Sequence, residues 1–281
     1  TITLMVSAFV WMVASECNRD NRSINMTEEA TVLTDDADGV LVITINRPKA
    51  KNAVNLSVAQ GVAAALDRLD SDDALRVGVL TGAGGTFCAG MDLKAFVSGE
   101  FPQIEGRGFG GMTERSADKP LIAAVEGYAL AGGCELAIAC DLIVAAENAK
   151  FGIPEVKRGL VAAAGGLVRL PSQIPYRVAM ELALTGEFMA ADRAMAMGLI
   201  NQLTQPGEAL ATAKALAQQI AENGPMAVKI SKAIIKASRD WDEDEAFSKQ
   251  NVLTQPVFTS EDAIEGATAF AEKRKPEWKG R

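Results

Sequence analysis

Two glutamates, Glu135 and Glu155, occupy the stretches of this sequence best suited to proton chemistry. Glu135 lies in Gly127–Asp141 (GYALAGGCELAIACD), behind a glycine pair, and Glu155 follows a proline in Phe151–Gly159 (FGIPEVKRG). A third stretch, Thr86–Lys94 (TFCAGMDLK), places Gly90 directly before Met91. Glycine lets the backbone turn sharply there, so the Met91 N–H can point outward. Gly132 and Gly133 open a helix, whose first N–H groups lack partners within it. Any one stretch alone reads as a tight turn, a capped helix or a solvated acid. Two backbone donor sites together with two separate carboxylates suggest an oxyanion hole for a carbonyl substrate, with carboxylates handling protons.

The composition narrows the chemistry further. The 281 residues contain no histidine, which excludes Ser-His-Asp and Cys-His arrangements and His-ligated metal sites. Acid–base work is left to carboxylates, Lys, Tyr, Cys or the backbone. With 28 Lys plus Arg against 36 Asp plus Glu, the net charge of −8 argues against a fold-wide nucleic-acid footprint. Four cysteines without a CxxC pair read as free thiols of a reducing compartment, placing the protein in the cytoplasm. Gly106, Gly108 and Gly111 fit G-x-G-x-x-G, but no strand launches them, so a flexible surface loop is expected. Gly82–Gly85 lacks the Gly-Lys-Ser/Thr of a P-loop. Residues 2–14 are apolar, yet too short to span a bilayer and without a basic flank. Residues 1–25 are therefore read as an extension outside the fold, which opens at Met26.

The elements that must position the glutamates follow an α/β pattern. Gly39–Ile45 is a β-branched strand, and Ser57 is expected to cap a helix with Val58, Val62, Ala65, Leu66 and Leu69 at helical spacing. Val77–Thr81, Leu121–Val125 and Leu142–Ala146 are unbroken apolar runs, as suits strands covered on both faces. Beyond about residue 173 strand signals stop, and helices are expected over 173–185, 190–197 and 208–222. Pro225 suits a helix N1 position, Asp242–Glu245 an acidic helix start, and Ser260 a cap before Glu261 and Asp262. The reading is an α/β core over residues 26–222 and a helical region over residues 223–281, a candidate subunit contact.

The runs NRPKAKNA, FCAGMDLK and AVEGYALAGGCELAIACDLIVAAENAKFGIPE resemble the enoyl-CoA hydratase (crotonase) superfamily, from about residue 31 to the end. The ending SEDAIEGATAFAEKRKPEWKGR is similar to actinobacterial-type hydratases and to carnitinyl-CoA dehydratases. The resemblance implies a spiral of repeated ββα units with a C-terminal helical trimerisation region. It puts the thioester carbonyl of an acyl-CoA between the N–H groups of Met91 and Gly132. Glu135 then activates a water and Glu155 exchanges the proton at Cα, in reversible syn addition of water to a trans-2-enoyl-CoA, a step of fatty-acid β-oxidation. Isomerases of the superfamily commonly keep one of these acids, so two favour hydration. The alternatives are a carnitinyl-CoA-type dehydratase, an enoyl-CoA isomerase, and a non-catalytic CoA-binding scaffold.

The same resemblance implies a substrate-binding set of Lys49, Lys51, Ala53, Ala89, Gly90, Asp92, Leu93, Lys94, Gly133 and Pro154, with Phe270 and Lys273 from a neighbouring subunit of a trimer or dimer of trimers. No separate cofactor is expected, coenzyme A being part of the substrate, and no metal, nucleic acid or membrane. Two departures stand out. Ala131 replaces the first residue of a usual Gly-Gly-Gly, and Ala162–Gly166 reads Ala-Ala-Ala-Gly-Gly where Pro-Gly-Ala-Gly-Gly is usual, which bears on the acyl pocket floor.

Overall fold

The structure, a computed structural model, describes residues 30–281. The expected extension over residues 1–25, and the start at Met26, lie outside the described residues. The chain runs β1 (Val32–Ala37), β2 (Val40–Ile45), α1 (Leu56–Ser71), β3 (Val77–Gly82), α2 (Leu93–Val97), β4 (Gln103–Ile104) and β5 (Gly108–Phe109). It continues through β6 (Leu121–Val125), β7 (Tyr128–Leu130), α3 (Gly132–Ala139), β8 (Leu142–Ala146), β9 (Lys150–Gly152) and a 3-10 turn at Pro154–Arg158. Then come α4 (Gly166–Gln173), α5 (Tyr176–Thr185), β10 (Met189–Ala190), α6 (Ala191–Ala196), β11 (Gln202–Thr204) and α7 (Ala209–Ala221). The end is helical: α8 (Pro225–Ala237), α9 (Glu243–Phe258) and α10 (Glu261–Glu272).

Six strands form the main sheet in the order β1-β2-β3-β6-β8-β11, and all but the β1–β2 pair are parallel. Its unbroken apolar runs have a physical cause: both faces are covered. On one face Leu41, Ile43 and Leu80 pack with Leu66 and Leu69 of α1. On the other, Val42, Val77, Val79, Ile122 and Val144 pack with Ala213 and Ala217 of α7, whose small side chains let it lie close to the sheet. Strand β1, rich in aspartate and exposed, borders the sheet with charge that discourages further strand pairing.

A smaller sheet, β10-β9-β7, lies beside the main one. Two successive units feed both sheets: β6 then β7 then α3, and β8 then β9 then the Pro154–Arg158 turn. Because β7 pairs in parallel with β9, with Leu130 opposite Gly152, the segments after them start side by side. The Ala131 N–H donates to the Gly152 carbonyl at 2.8 Å, holding those two starts together. Two strands in succession, one in each sheet, leading into a helix or turn are the repeated ββα pattern of the expected α/β fold.

Three local expectations are corrected. The cap of α1 is Asn55, whose side chain accepts from the Val58 N–H at 3.1 Å, while Ser57 lies inside the helix. Strands do not stop at residue 173: β10 joins the small sheet and β11 extends the main one beside β8. Of the three glycines read as a surface loop, Gly106 is exposed in a turn, but Gly108 and Gly111 are not. Gly108–Thr113 is buried, because a Cβ at Gly110 would press on Leu136 and one at Gly111 on the carbonyl of Ala59.

Pro225 opens α8 and Ser260 caps α10, its hydroxyl accepting from the Ala263 N–H at 3.0 Å. Lys232 of α8 anchors this region to the core. Its ammonium donates to the carbonyls of Ala117 (2.8 Å) and Lys119 (2.9 Å) and pairs with Asp141 at 2.6 Å. The outer side of the region leaves Phe247, Val252, Phe258, Ile264 and Phe270 exposed.

Candidate active site

A cavity of about 360 Å³ lies over the start of α3 and of the Pro154–Arg158 turn. Its walls include Ala89, Met91, Leu93, Gly132, Glu135, Pro154 and Glu155, all expected from the sequence. Leu130, Phe96, Phe109, Leu160, Val161 and Phe188 make most of the remaining surface apolar.

The Met91 side is set by a single bridge to Val54. The Val54 N–H donates to the Gly90 carbonyl at 2.8 Å, and the Asp92 N–H to the Val54 carbonyl at 2.9 Å. That alternation turns the Met91 N–H away from Val54. Gly90 sits at φ 108, a conformation that L side chains rarely adopt. A Cβ there would also lie 2.8 Å from Ala131 Cβ and 3.4 Å from the Gly132 nitrogen. The Gly90–Met91 turn therefore abuts the first N–H groups of α3.

Gly132, the first residue of α3, is covered by Phe109: a Cβ would fall 2.5 Å from the ring. Gly133 faces the other way, where any Cβ would collide with the Cys88 carbonyl, so its contribution is close packing. Ala131 takes φ 52 and ψ −129, a backbone state in which its Cβ is strained.

Glu135 stands in the first turn of α3 and is buried, with Oε1 accepting from the Gly166 N–H at 2.8 Å. Burial raises its pKa, against the pull of that N–H and of nearby Arg169. Glu155, one residue past Pro154, is half-buried. Its Oε2 is buried without a partner. Burial, reinforced by the charge of Glu135, pushes Glu155 up to about 7. The arrangement supplies a fixed carboxylate and a second one able to gain and lose a proton near neutrality, both facing one apolar cavity beside two sets of backbone donors.

The remaining expected residues lie elsewhere. Asp92 caps α2, accepting from the N–H groups of Lys94 and Ala95, and pairs with Arg47 at 2.9 Å. Burial opposes its ionisation, yet these donors hold its pKa below the usual value. Its carboxylate is thus spent on structure. Ala53 gives its carbonyl to Arg47, and Lys51 lies 5.4 Å from the centre of the Tyr128 ring. Lys49, Lys51 and Lys94 are exposed and do not line the cavity. Phe270, at 88% exposure, and Lys273 lie at the end of α10 and do not line this chain's cavity.

Three contributors were not expected. Phe109 seats Gly132, and buried Asn52 donates to the carbonyls of Ala83 and Thr86, tying the segment before Met91. Arg169 donates to the Thr113 carbonyl and, at 3.3 Å, to that of Ala164. It thereby fixes the loop that brings the Gly166 N–H to Glu135. Helical spacing puts Arg169 in the first turn of α4, but nothing in the sequence indicates that its guanidinium turns back.

Fold and cavity together define an α/β protein with two carboxylates and the starts of two backbone turns gathered at one apolar cavity. The chain belongs to the enoyl-CoA hydratase/isomerase family, whose model matches residues 35–281. Among solved structures, it is similar to an enoyl-CoA hydratase from Mycobacterium tuberculosis, with 61% identity and a TM-score of 0.89, covering 90% of this chain and 100% of that one. A carnitinyl-CoA hydratase from Mycobacterium avium is 43% identical with a TM-score of 0.72, covering 90% of this chain and 99% of that one. A carnitinyl-CoA dehydratase of Proteus mirabilis is 42% identical over 250 residues, 86% of this chain and 95% of the relative. These relatives place the protein in a hydro-lyase family with hydratase and dehydratase members.

Proposed function

We propose that the protein is an enoyl-CoA hydratase, converting a trans-2-enoyl-CoA and water reversibly into a 3-hydroxyacyl-CoA, as fatty-acid β-oxidation requires. The observation that carries this reading is the meeting of Glu135 and Glu155 in one apolar cavity beside Met91 and Gly132. As water attacks C3, negative charge grows on the thioester oxygen. The N–H groups of Met91 and Gly132 would receive it, at roughly 3–4 kcal/mol per donor in such sites. Glu135, held by Gly166, takes the proton of the attacking water, and Glu155 delivers one to C2. Atoms balance: hydroxyl to C3, proton to C2, and the glutamates exchange protons on return.

Dehydration of a carnitinyl-CoA is the second reading, favoured by the curated relatives of that name. Loss of enoyl-thioester absorbance on adding protein to short 2-enoyl-CoA esters, with crotonobetainyl-CoA in the same screen, separates the two. Binding of CoA esters without turnover of any would instead leave a scaffold. Coenzyme A enters as part of the substrate, with Lys49, Lys51 and Lys94 as its basic rim. We place the reaction in the cytoplasm, in keeping with Cys88, Cys134 and Cys140 being buried and unpaired. Among the described residues no helix is long and apolar enough to cross a membrane.

Self-association as a trimer or dimer of trimers is part of the same reading. The exposed Phe247, Val252, Phe258 and Ile264 supply an apolar surface for a second copy, which would bring its Phe270 and Lys273 to the site. Deleting the chain after Asn223 removes both that surface and the Lys232 anchor. Sedimentation should then give unstable monomers, and a truncated protein that keeps the parent assembly would reject the role.

A further inference from the structure

The two backbone donors of the cavity are held by unequal means. Gly132 opens an eight-residue helix, whereas Met91 sits in irregular chain whose strand pairing is a one-residue bridge to Val54. Such a bridge has no ladder on either side to stiffen it. Arg47 spans it. Its guanidinium donates through Nη1 to the Ala53 carbonyl at 2.5 Å and through Nη2 to Asp92 Oδ2 at 2.9 Å. One side chain thus grips the residue before Val54 and the residue after Met91. The backbone that launches it is fixed as well: the Arg47 N–H donates to the side chain of buried Asn52 at 2.9 Å, and the Asn52 N–H returns to the Arg47 carbonyl at 2.9 Å. The other oxygen of Asp92 accepts from the N–H groups of Lys94 (3.0 Å) and Ala95 (3.3 Å), so the carboxylate that Arg47 holds also starts α2. With side chains 22% and 15% exposed, the Arg47–Asp92 pair is screened less than a surface pair.

We propose that Arg47 is a positioning residue for the oxyanion hole: its guanidinium staples the Val54–Met91 bridge and so aims the Met91 N–H at the thioester carbonyl, without touching the substrate. The proposal rests on the enoyl-CoA reading of the cavity, which Arg47 itself does not line. A planar fork with donors in fixed directions suits two acceptors on different segments, which a lysine ammonium does not match. A donor to a developing oxyanion matters more as charge grows in the transition state than in the bound ester. Displacing the Met91 N–H therefore lowers kcat and leaves KM nearly unchanged. The Gly132 donor, carried by its own helix, stays in place, so the loss is partial.

Two readouts test this in the wild type, Arg47→Met, Asp92→Asn and the double variant. The first is kcat and KM for hydration of but-2-enoyl-CoA. The second is the infrared carbonyl stretch of saturating butanoyl-CoA, labelled with carbon-13 at C1, which binds without being hydrated and whose stretch falls as donors polarise it. In Arg47→Met, kcat should drop about 10–10²-fold with KM within about twofold, and the fall in the stretch on binding should shrink by about half, one donor of two being displaced. Asp92→Asn keeps a side chain able to cap α2 and should move both readouts the same way by less. The double variant should be no worse than Arg47→Met, as members of one network are not additive. If Arg47→Met does not fold, Asp92→Asn decides by the same two signs. An unchanged stretch in the variants overturns the proposal whatever happens to kcat, and so does a rise in KM at constant kcat, which would put Arg47 against the coenzyme A moiety. If the wild type binds butanoyl-CoA with no fall in the stretch, the oxyanion-hole reading falls too; a wild-type fall that survives the substitutions removes only the role of Arg47.

Discussion

The unit β6–β7–α3 and the unit β8–β9–turn are built alike, and each delivers one glutamate to the cavity. They diverge at the end of the second strand. In the first, an eight-residue buried helix carries Glu135, and a backbone N–H from the Gly166 loop grips its carboxylate. In the second, Pro154 starts a five-residue turn that leaves Glu155 half-buried with one oxygen unpaired. One residue type thus acquires two behaviours from its setting. On the proposed mechanism the gripped carboxylate accepts a proton from water, whereas the loosely held acid, poised near neutrality, gives one up and takes it back. Parallel pairing of β7 with β9 is what makes the contrast useful, since it starts both segments side by side.

The sharpest way to break the contrast is to remove the labile proton. Glu155→Gln should lower kcat for hydration by about 10²–10⁴, the usual worth of a positioned acid–base group. Near-normal turnover would reject the assignment. Glu155→Gln should also flatten the stability profile. The folded-state pKa is raised from 4.5 to about 7, so between those values the unfolded chain holds fewer protons than the folded one. Wild-type stability contributed by this group is therefore lost as pH rises from about 4.5 to 7, and chemical denaturation across that window should show a smaller fall in the variant.

Loosening the grip on Glu135 tests the other half. Arg169→Ala frees the loop bearing Gly166, and kcat should drop about tenfold with little change in KM, because a carboxylate displaced by an ångström or less already loses rate. Arg169→Lys should recover part of the loss. Equal changes in KM and kcat, without rescue, would indicate general damage to the cavity wall. The smallest effect is expected at Ala131. Replacing it with glycine relieves a strained φ of 52 at the start of α3, and the folded state should gain about 1 kcal/mol after the added freedom of the unfolded chain is offset. A loss of stability in thermal unfolding would show that this backbone state costs alanine nothing.

Residue types made both glutamates and both glycine turns legible in the sequence, because the chemistry that needs them is specific. Strands β2, β3, β6 and β8 of the main sheet were legible as well, since burial on two faces leaves an unbroken apolar run, whereas the exposed, aspartate-rich β1 carries no such run. Strands β10 and β11 were not, being two and three residues long and defined by their partners, not by their own pattern. The cap of α1 went to Asn55 over Ser57 through geometry alone, as either side chain can accept a hydrogen bond. The Gly108–Thr113 segment shows the deeper limit. Gly110 and Gly111 look like flexibility, yet each is there because Leu136 or the Ala59 carbonyl leaves no room for a side chain, and sequence composition carries no record of such neighbours. Arg169 escaped notice for the same reason.

The most direct test of the division between the two acids is the pH dependence of kcat/KM for hydration, read in the wild type and in the residual activity of Glu155→Gln. Delivery of a proton to C2 needs Glu155 protonated, so the wild-type value should fall above pH about 7 with the slope of one proton, the apparent midpoint belonging to the coupled pair. In Glu155→Gln that limb should vanish. A wild-type profile that stays flat through pH 7, or a limb that survives the substitution, would contradict the account.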